Sequence, residues 1–143
     1  MADEFCNIDD IKTVEFIESE TEFKNNNSYN KTTGKVIRAI LPVHVFGNAV
    51  DLERLQNVCS ERNIAIVEDA SESLGTFYNQ GKHIGKHSGI IGKIGILSFN
   101  GNKIITTGGG GMILTDDEDL AVEAKHITST AKESHKWKFS HDK

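Results

Sequence analysis

A chain of 143 residues is long enough to bury a core as one modest domain. Its 21 acidic against 16 basic side chains leave a net charge of −5, which counts against nucleic acid or an anionic membrane as the main partner. No apolar run approaches a membrane span, the amino terminus lacks the basic and apolar regions of a signal peptide, and Cys6 and Cys59 form no CxxC pair. A reducing, cytoplasmic location is expected.

Residues 9–18 repeat apolar side chains at Ile11, Val14 and Ile17, a short amphipathic helix with Asp9 as its cap. NNNSYNKTTGK, residues 25–35, is polar and turn-rich and reads as an exposed loop. VIRAIL, residues 36–41, reads as a buried strand stopped by Pro42. DLERLQNVCSERN, residues 51–63, has the helical spacing Leu52, Leu55, Val58, with Asp51 near its start and Cys59 toward the core. IAIVED, residues 64–69, is a second apolar strand and ends in two carboxylates. Strand, helix and strand with short connections make a βαβ unit.

Residues 75–92 hold many glycines and predict a structured loop, which counts against a helix presenting His83 and His87 to one metal ion. Two short strands follow at residues 94–99 and 112–115. Their connection is too short for a crossover helix, so they are not expected to be parallel neighbours. TDDEDLAVEAKHI, residues 115–127, opens with acidic side chains and continues with helical spacing. In the polar tail, Trp137 and Phe139 are placed to pack it down or to meet a partner. The expected fold is α/β, a three-layer sandwich around a mostly parallel sheet.

Asp69 and Ser98 stand at strand ends, and Lys103 follows in a loop that runs into four glycines. In an open α/β sheet, ligands sit at the carboxyl ends of the strands, where these side chains would meet. A protected lysine can form a Schiff base with an aldehyde, and pyridoxal phosphate (PLP) is the common one. PLP also requires a carboxylate against its ring nitrogen and hydroxyl or N–H donors for its phosphate. Singly, the same residues read as a turn aspartate, a solvated lysine and a flexible glycine loop. No GxxxxGK[ST] is present.

EDASESLGT, residues 68–76, followed by SFNGNKIITTGGGGM, residues 98–112, resembles the DegT/StrS-type sugar aminotransferases, PLP enzymes of the aspartate aminotransferase fold. Their pattern runs roughly EDAAQ-x-x-G, a gap, then SF-x-x-x-K-x-x-x-x-G-x-GG. PVHVFGN upstream and TSTAK and HKWKFSHDK downstream extend the resemblance over nearly all of the chain. It implies that Lys103 carries PLP as a Schiff base and then moves the proton, that Asp69 faces the ring nitrogen, and that Ser98 donates to the phosphate. Glu72 stands where many relatives carry a glutamine toward the phenolic oxygen. Two anions there would repel, so one should hold a proton. Gly109 replaces a glutamate of the common GEGG spelling. Asn100 and Asn102 read as loop-bracing amides, and His44 as a buried, hydrogen-bonded ring.

By the same resemblance, residues 1–143 form the central part of an aspartate aminotransferase-like, PLP-binding large domain, without the N-terminal phosphate turn and the C-terminal small domain. The implied activity is amino transfer from glutamate to a UDP-linked 4-keto-6-deoxy sugar for surface glycans, with a homodimer for the full-length parent, and this chain alone is expected to bind PLP weakly and to be inactive. A PLP-dependent sugar dehydratase is one rival, against which Lys103 counts because such enzymes carry histidine there. A non-catalytic sugar-nucleotide or phosphate-binding remnant is the other.

Overall fold

The computed structural model describes residues 2–129; Trp137 and Phe139 lie outside them. The elements are α1 (Asp10–Glu20), β1 (Thr21–Lys24), β2 (Asn27–Asn30), β3 (Val36–Ile37), β4 (Ala39–Ile40), α2 (Glu53–Glu61), β5 (Ala65–Asp69), β6 (Ile94–Ser98), β7 (Gly111–Leu114) and α3 (Glu118–Thr128). Asp9 caps α1 as expected, accepting the Lys12 N–H at 2.9 Å. Ile17 faces the core, while Ile11 points outward.

The segment read as an exposed loop is a correction. Residues 25 and 26 form the two-residue turn of a hairpin between β1 and β2, and both asparagines take positive φ, 49° and 58°. Asparagine tolerates that region, which suits a tight hairpin turn. β3 adds to β2 antiparallel. The expected strand at residues 36–41 is therefore divided at Arg38: its first half belongs to this small sheet and its second half, β4, to the main one.

The main sheet has the order β4-β5-β6-β7. β4, β5 and β6 run parallel, and β7 returns antiparallel to β6. β4–α2–β5 is the anticipated βαβ unit. Leu52, Leu55, Val58 and Cys59 from α2 and its approach pack with Ile17, Val50, Ile64 and Ile66 into the core. Gly111 is fixed by close approach, since a Cβ there would lie 2.6 Å from the Leu97 carbonyl oxygen. Among the described residues, no helix is long and apolar enough to cross a membrane. Because β4 to β6 are parallel, their carboxyl ends share one edge of the sheet, and the chain after each strand passes over it.

Candidate active site at the strand ends

Asp69 closes β5, in register with Ile96 on β6. Its main chain is held on both sides, donating to the Pro42 carbonyl and accepting from the His44 N–H. One carboxylate oxygen, Oδ1, accepts the Ser71 N–H at 3.0 Å. Asp69 is thus a turn residue as well as a carboxylate at the edge, with its second oxygen uncommitted among the described residues. Ser98 closes the neighbouring strand β6, and its Oγ accepts the Asn100 N–H at 3.4 Å, leaving the hydroxyl proton for another acceptor.

Lys103 is folded back over this edge by main-chain bonds within its loop. Its N–H donates to the Asn100 carbonyl at 3.1 Å, and Thr107 N–H closes onto Phe99 at 3.0 Å. The bracing expected from the Asn100 side chain comes from its main chain instead. Lys103 Nζ ends 3.2 Å from Glu72 Oε1, with the two side chains 16% and 35% exposed. The other Glu72 oxygen accepts the Phe46 N–H at 3.0 Å. That N–H, and then Lys103, hold the Glu72 carboxyl below its ordinary range, against the opposing effects of partial burial and the Asp69 charge. Glu72 is therefore ionised beside the lysine.

A second carboxylate was not anticipated in any role. Burial alternates along β5, placing Ile66 and Glu68 inward. Glu68 is fully buried and accepts from Gly89 N–H at 2.8 Å, from Ile91 N–H at 2.6 Å, from Gly92 N–H and from His44. His44 Nδ1 accepts the Val50 N–H at 3.0 Å, which assigns its proton to Nε2 and to the 2.9 Å bond with Glu68. Burial raises the Glu68 pKa, but the His44 bond and the Gly92 and Gly89 N–H groups outweigh it and hold the carboxyl below its ordinary range. This network fastens the loop before β6, and the turn after β4, to the end of β5. The period-2 pattern of IAIVED was the available signal: it separates an inward Glu68 from Asp69 on the other face. His83 and His87 make separate contacts, one buried against Tyr78 and the other accepting the Gly75 N–H at 2.7 Å.

The edge thus offers a half-buried amine, an uncommitted carboxylate oxygen and a hydroxyl proton on adjoining segments. That donor set fits an aldehyde carrying a ring nitrogen and a phosphate. The sequence model of the DegT/DnrJ/EryC1/StrS aminotransferase family matches residues 3–143. The chain is 44% identical over 88 residues to the GDP-perosamine synthase of Caulobacter vibrioides, covering 62% of this chain and 22% of that protein. Helicobacter pylori PseC, an aminotransferase involved in pseudoaminic acid biosynthesis, superposes with a TM-score of 0.75 at 23% identity, over 99% of this chain and 33% of that one; this likeness bears on fold alone. An E. coli GDP-4-keto-6-deoxy-D-mannose-3-dehydratase with bound hydrated PLP superposes with a TM-score of 0.61 at 29% identity, over 90% of this chain and 27% of that one. The chain thus spans about a third or less of the length of these relatives. With its fold and its strand-end motifs in agreement, the chain belongs to the DegT/DnrJ/EryC1/StrS aminotransferase family.

Proposed function

We propose that this chain forms the PLP-binding part of an aminotransferase that moves an amino group from glutamate to a nucleotide-linked 4-keto-6-deoxy sugar. The observation that carries the reading is the Lys103 amine, held 3.2 Å from Glu72 on the edge where Asp69 and Ser98 end their strands. PLP, when bound, supplies an aldehyde to carry the amino group and a ring to accept electrons from the reacting carbon.

Lys103 Nζ would hold the group through its aldehyde carbon and, as a free amine, would serve as the base that moves a proton. Asp69 keeps the proton on the ring nitrogen. Ser98 donates its hydroxyl to the phosphate. Glu72, ionised beside Lys103, orients the amine; its carboxylate is also an acceptor for a proton on the phenolic oxygen.

The ESLG and FNGNKIITTGGGG spellings support a uridine diphosphate link, whereas the likeness to GDP-perosamine synthase supports a guanosine one. The likeness to the 3-dehydratase supports a second reading, PLP-dependent removal of a sugar hydroxyl. Cytoplasmic residence and a homodimeric parent complete the proposal.

A segment exchange tests the aminotransferase reading. The matched segment of the Caulobacter synthase is replaced by the aligned residues of this chain, and 2-oxoglutarate formation from glutamate is followed with GDP- and UDP-linked 4-keto-6-deoxy sugars. A folded chimera should transfer the amino group, and its Lys103→Ala form should not. A folded chimera without turnover, or one indifferent to Lys103→Ala, contradicts the reading. A 3-deoxy sugar in place of an amino sugar selects the dehydratase.

A further inference from the structure

Phe46 lies in the turn after β4 at φ 51° and ψ 28°, a left-handed conformation that a bulky aromatic residue adopts only under constraint. Constraint surrounds it. Its own N–H is held by Glu72 Oε2 at 3.0 Å. Val45 N–H donates to Asn7 Oδ1 at 2.9 Å, and Asn7 Nδ2 donates to the Asn48 carbonyl at 3.2 Å. Thr76 Oγ1 donates to the Gly47 carbonyl at 2.9 Å. All this ordering displays a ring that remains 82% exposed. Burial of the ring therefore does not account for the strain.

The carboxylate that holds Phe46 is also the partner of Lys103, one oxygen for each. Phe46 is thus joined through a single side chain to the amine of the proposed cofactor site. Asp69, Glu72, Ser98 and Lys103 make that site polar, yet pockets for planar organic ligands are lined mainly by apolar and aromatic groups. We infer that Phe46 is a further residue of the cofactor site, its ring forming an apolar wall for the aromatic ring of a pyridine aldehyde joined to Lys103. Glu72 is then the positioning residue that sets amine and wall relative to one another. The inference rests on the PLP reading of Lys103.

The test uses the full chain and PLP itself. PLP affinity is measured by absorbance titration for the parent chain, Phe46→Asn and Phe46→Tyr. The adduct fixed by borohydride is then mapped by peptide mass and studied by NMR. Asparagine tolerates positive φ, so Phe46→Asn should melt no lower than the parent while binding PLP about three- to tenfold more weakly. Phe46→Tyr keeps the ring and should restore affinity. In the Lys103 adduct, Phe46 ring protons should show cross-relaxation with the pyridoxyl methyl group. A label on Lys103 with no such contact, or with Phe46→Asn affinity equal to the parent's, overturns this inference and leaves the cofactor reading standing. A label elsewhere overturns both.

Discussion

Asp69 has a structural bond and a proposed chemical one, and a single substitution separates them. Asparagine retains an oxygen that can accept the Ser71 N–H now held at 3.0 Å, so Asp69→Asn should leave thermal stability nearly unchanged. It removes the negative charge that would keep a ring nitrogen protonated, and a charge-assisted hydrogen bond contributes about 1.5–3 kcal/mol. PLP binding to the variant should weaken roughly tenfold or more. Unchanged affinity would leave Asp69 as a turn residue only. Glu72 shows a different dependence on its neighbours: the Phe46 N–H and Lys103 favour its ionised form, so its ability to take up a proton depends on what the amine is bound to. The strand-end placement of Asp69 and Ser98 and the loop placement of Lys103 were legible in the sequence. The Glu72–Phe46 bond was not, because it joins residues 26 positions apart through a side chain and a strained amide.

At the scale of elements, the βαβ unit and the helices α1 and α3 were legible because apolar residues recur at helical spacing, although in α3 that face is not buried. The β1–β2 hairpin was not, since TEFK and NSYN are largely polar and show no alternation between apolar and polar. Tertiary support fills the gap: Ser28 is fully buried and donates to the Arg62 carbonyl at 2.7 Å. The loop before β6 was legible as structured, but not the buried Glu68 that organises it. That loop also contains His83, only 4% exposed, with neither ring nitrogen hydrogen-bonded among the described residues. Burial, then the charges of Lys82 and Lys86, hold its pKa below the ordinary 6.5. As pH falls below 6.5, the unfolded ring takes up a proton that the folded ring resists, so stability declines until the folded value is reached. His83→Phe removes both the titration and the unsatisfied nitrogens. It should stabilise the chain by about 1 kcal/mol at pH 7 and flatten the loss of stability as pH falls below 6.5 in urea titrations, relative to the parent. An identical pH dependence in the two proteins would remove His83 from this role.

Across the whole molecule, apolar surface is unevenly covered. The core lies among α1, α2 and β5, whereas Met112 and Ile113 on β7 and Val122 and Ile127 on α3 are exposed, and α3 has no buried residue. Among the described residues, β7 is the edge of the four-stranded sheet, with main-chain groups open to pairing. The described chain should therefore self-associate with rising concentration. Sedimentation velocity reads this directly, and Ile113→Lys with Val122→Glu should shift the boundary toward monomer; a parent chain that stays monomeric across the range contradicts the expectation.

One lysine, among the several on this chain, is proposed as the cofactor attachment point. Lys103 is held by Glu72 on the strand-end edge, whereas Lys82 and Lys93 are exposed and have no ion pair among the described residues. Incubating the chain with PLP, reducing with borohydride and mapping the peptides by mass decides the matter. A pyridoxyl group is expected on Lys103, lost in Lys103→Ala without transfer to another lysine. A pyridoxyl group on Lys82 or Lys93 in place of Lys103 would contradict it.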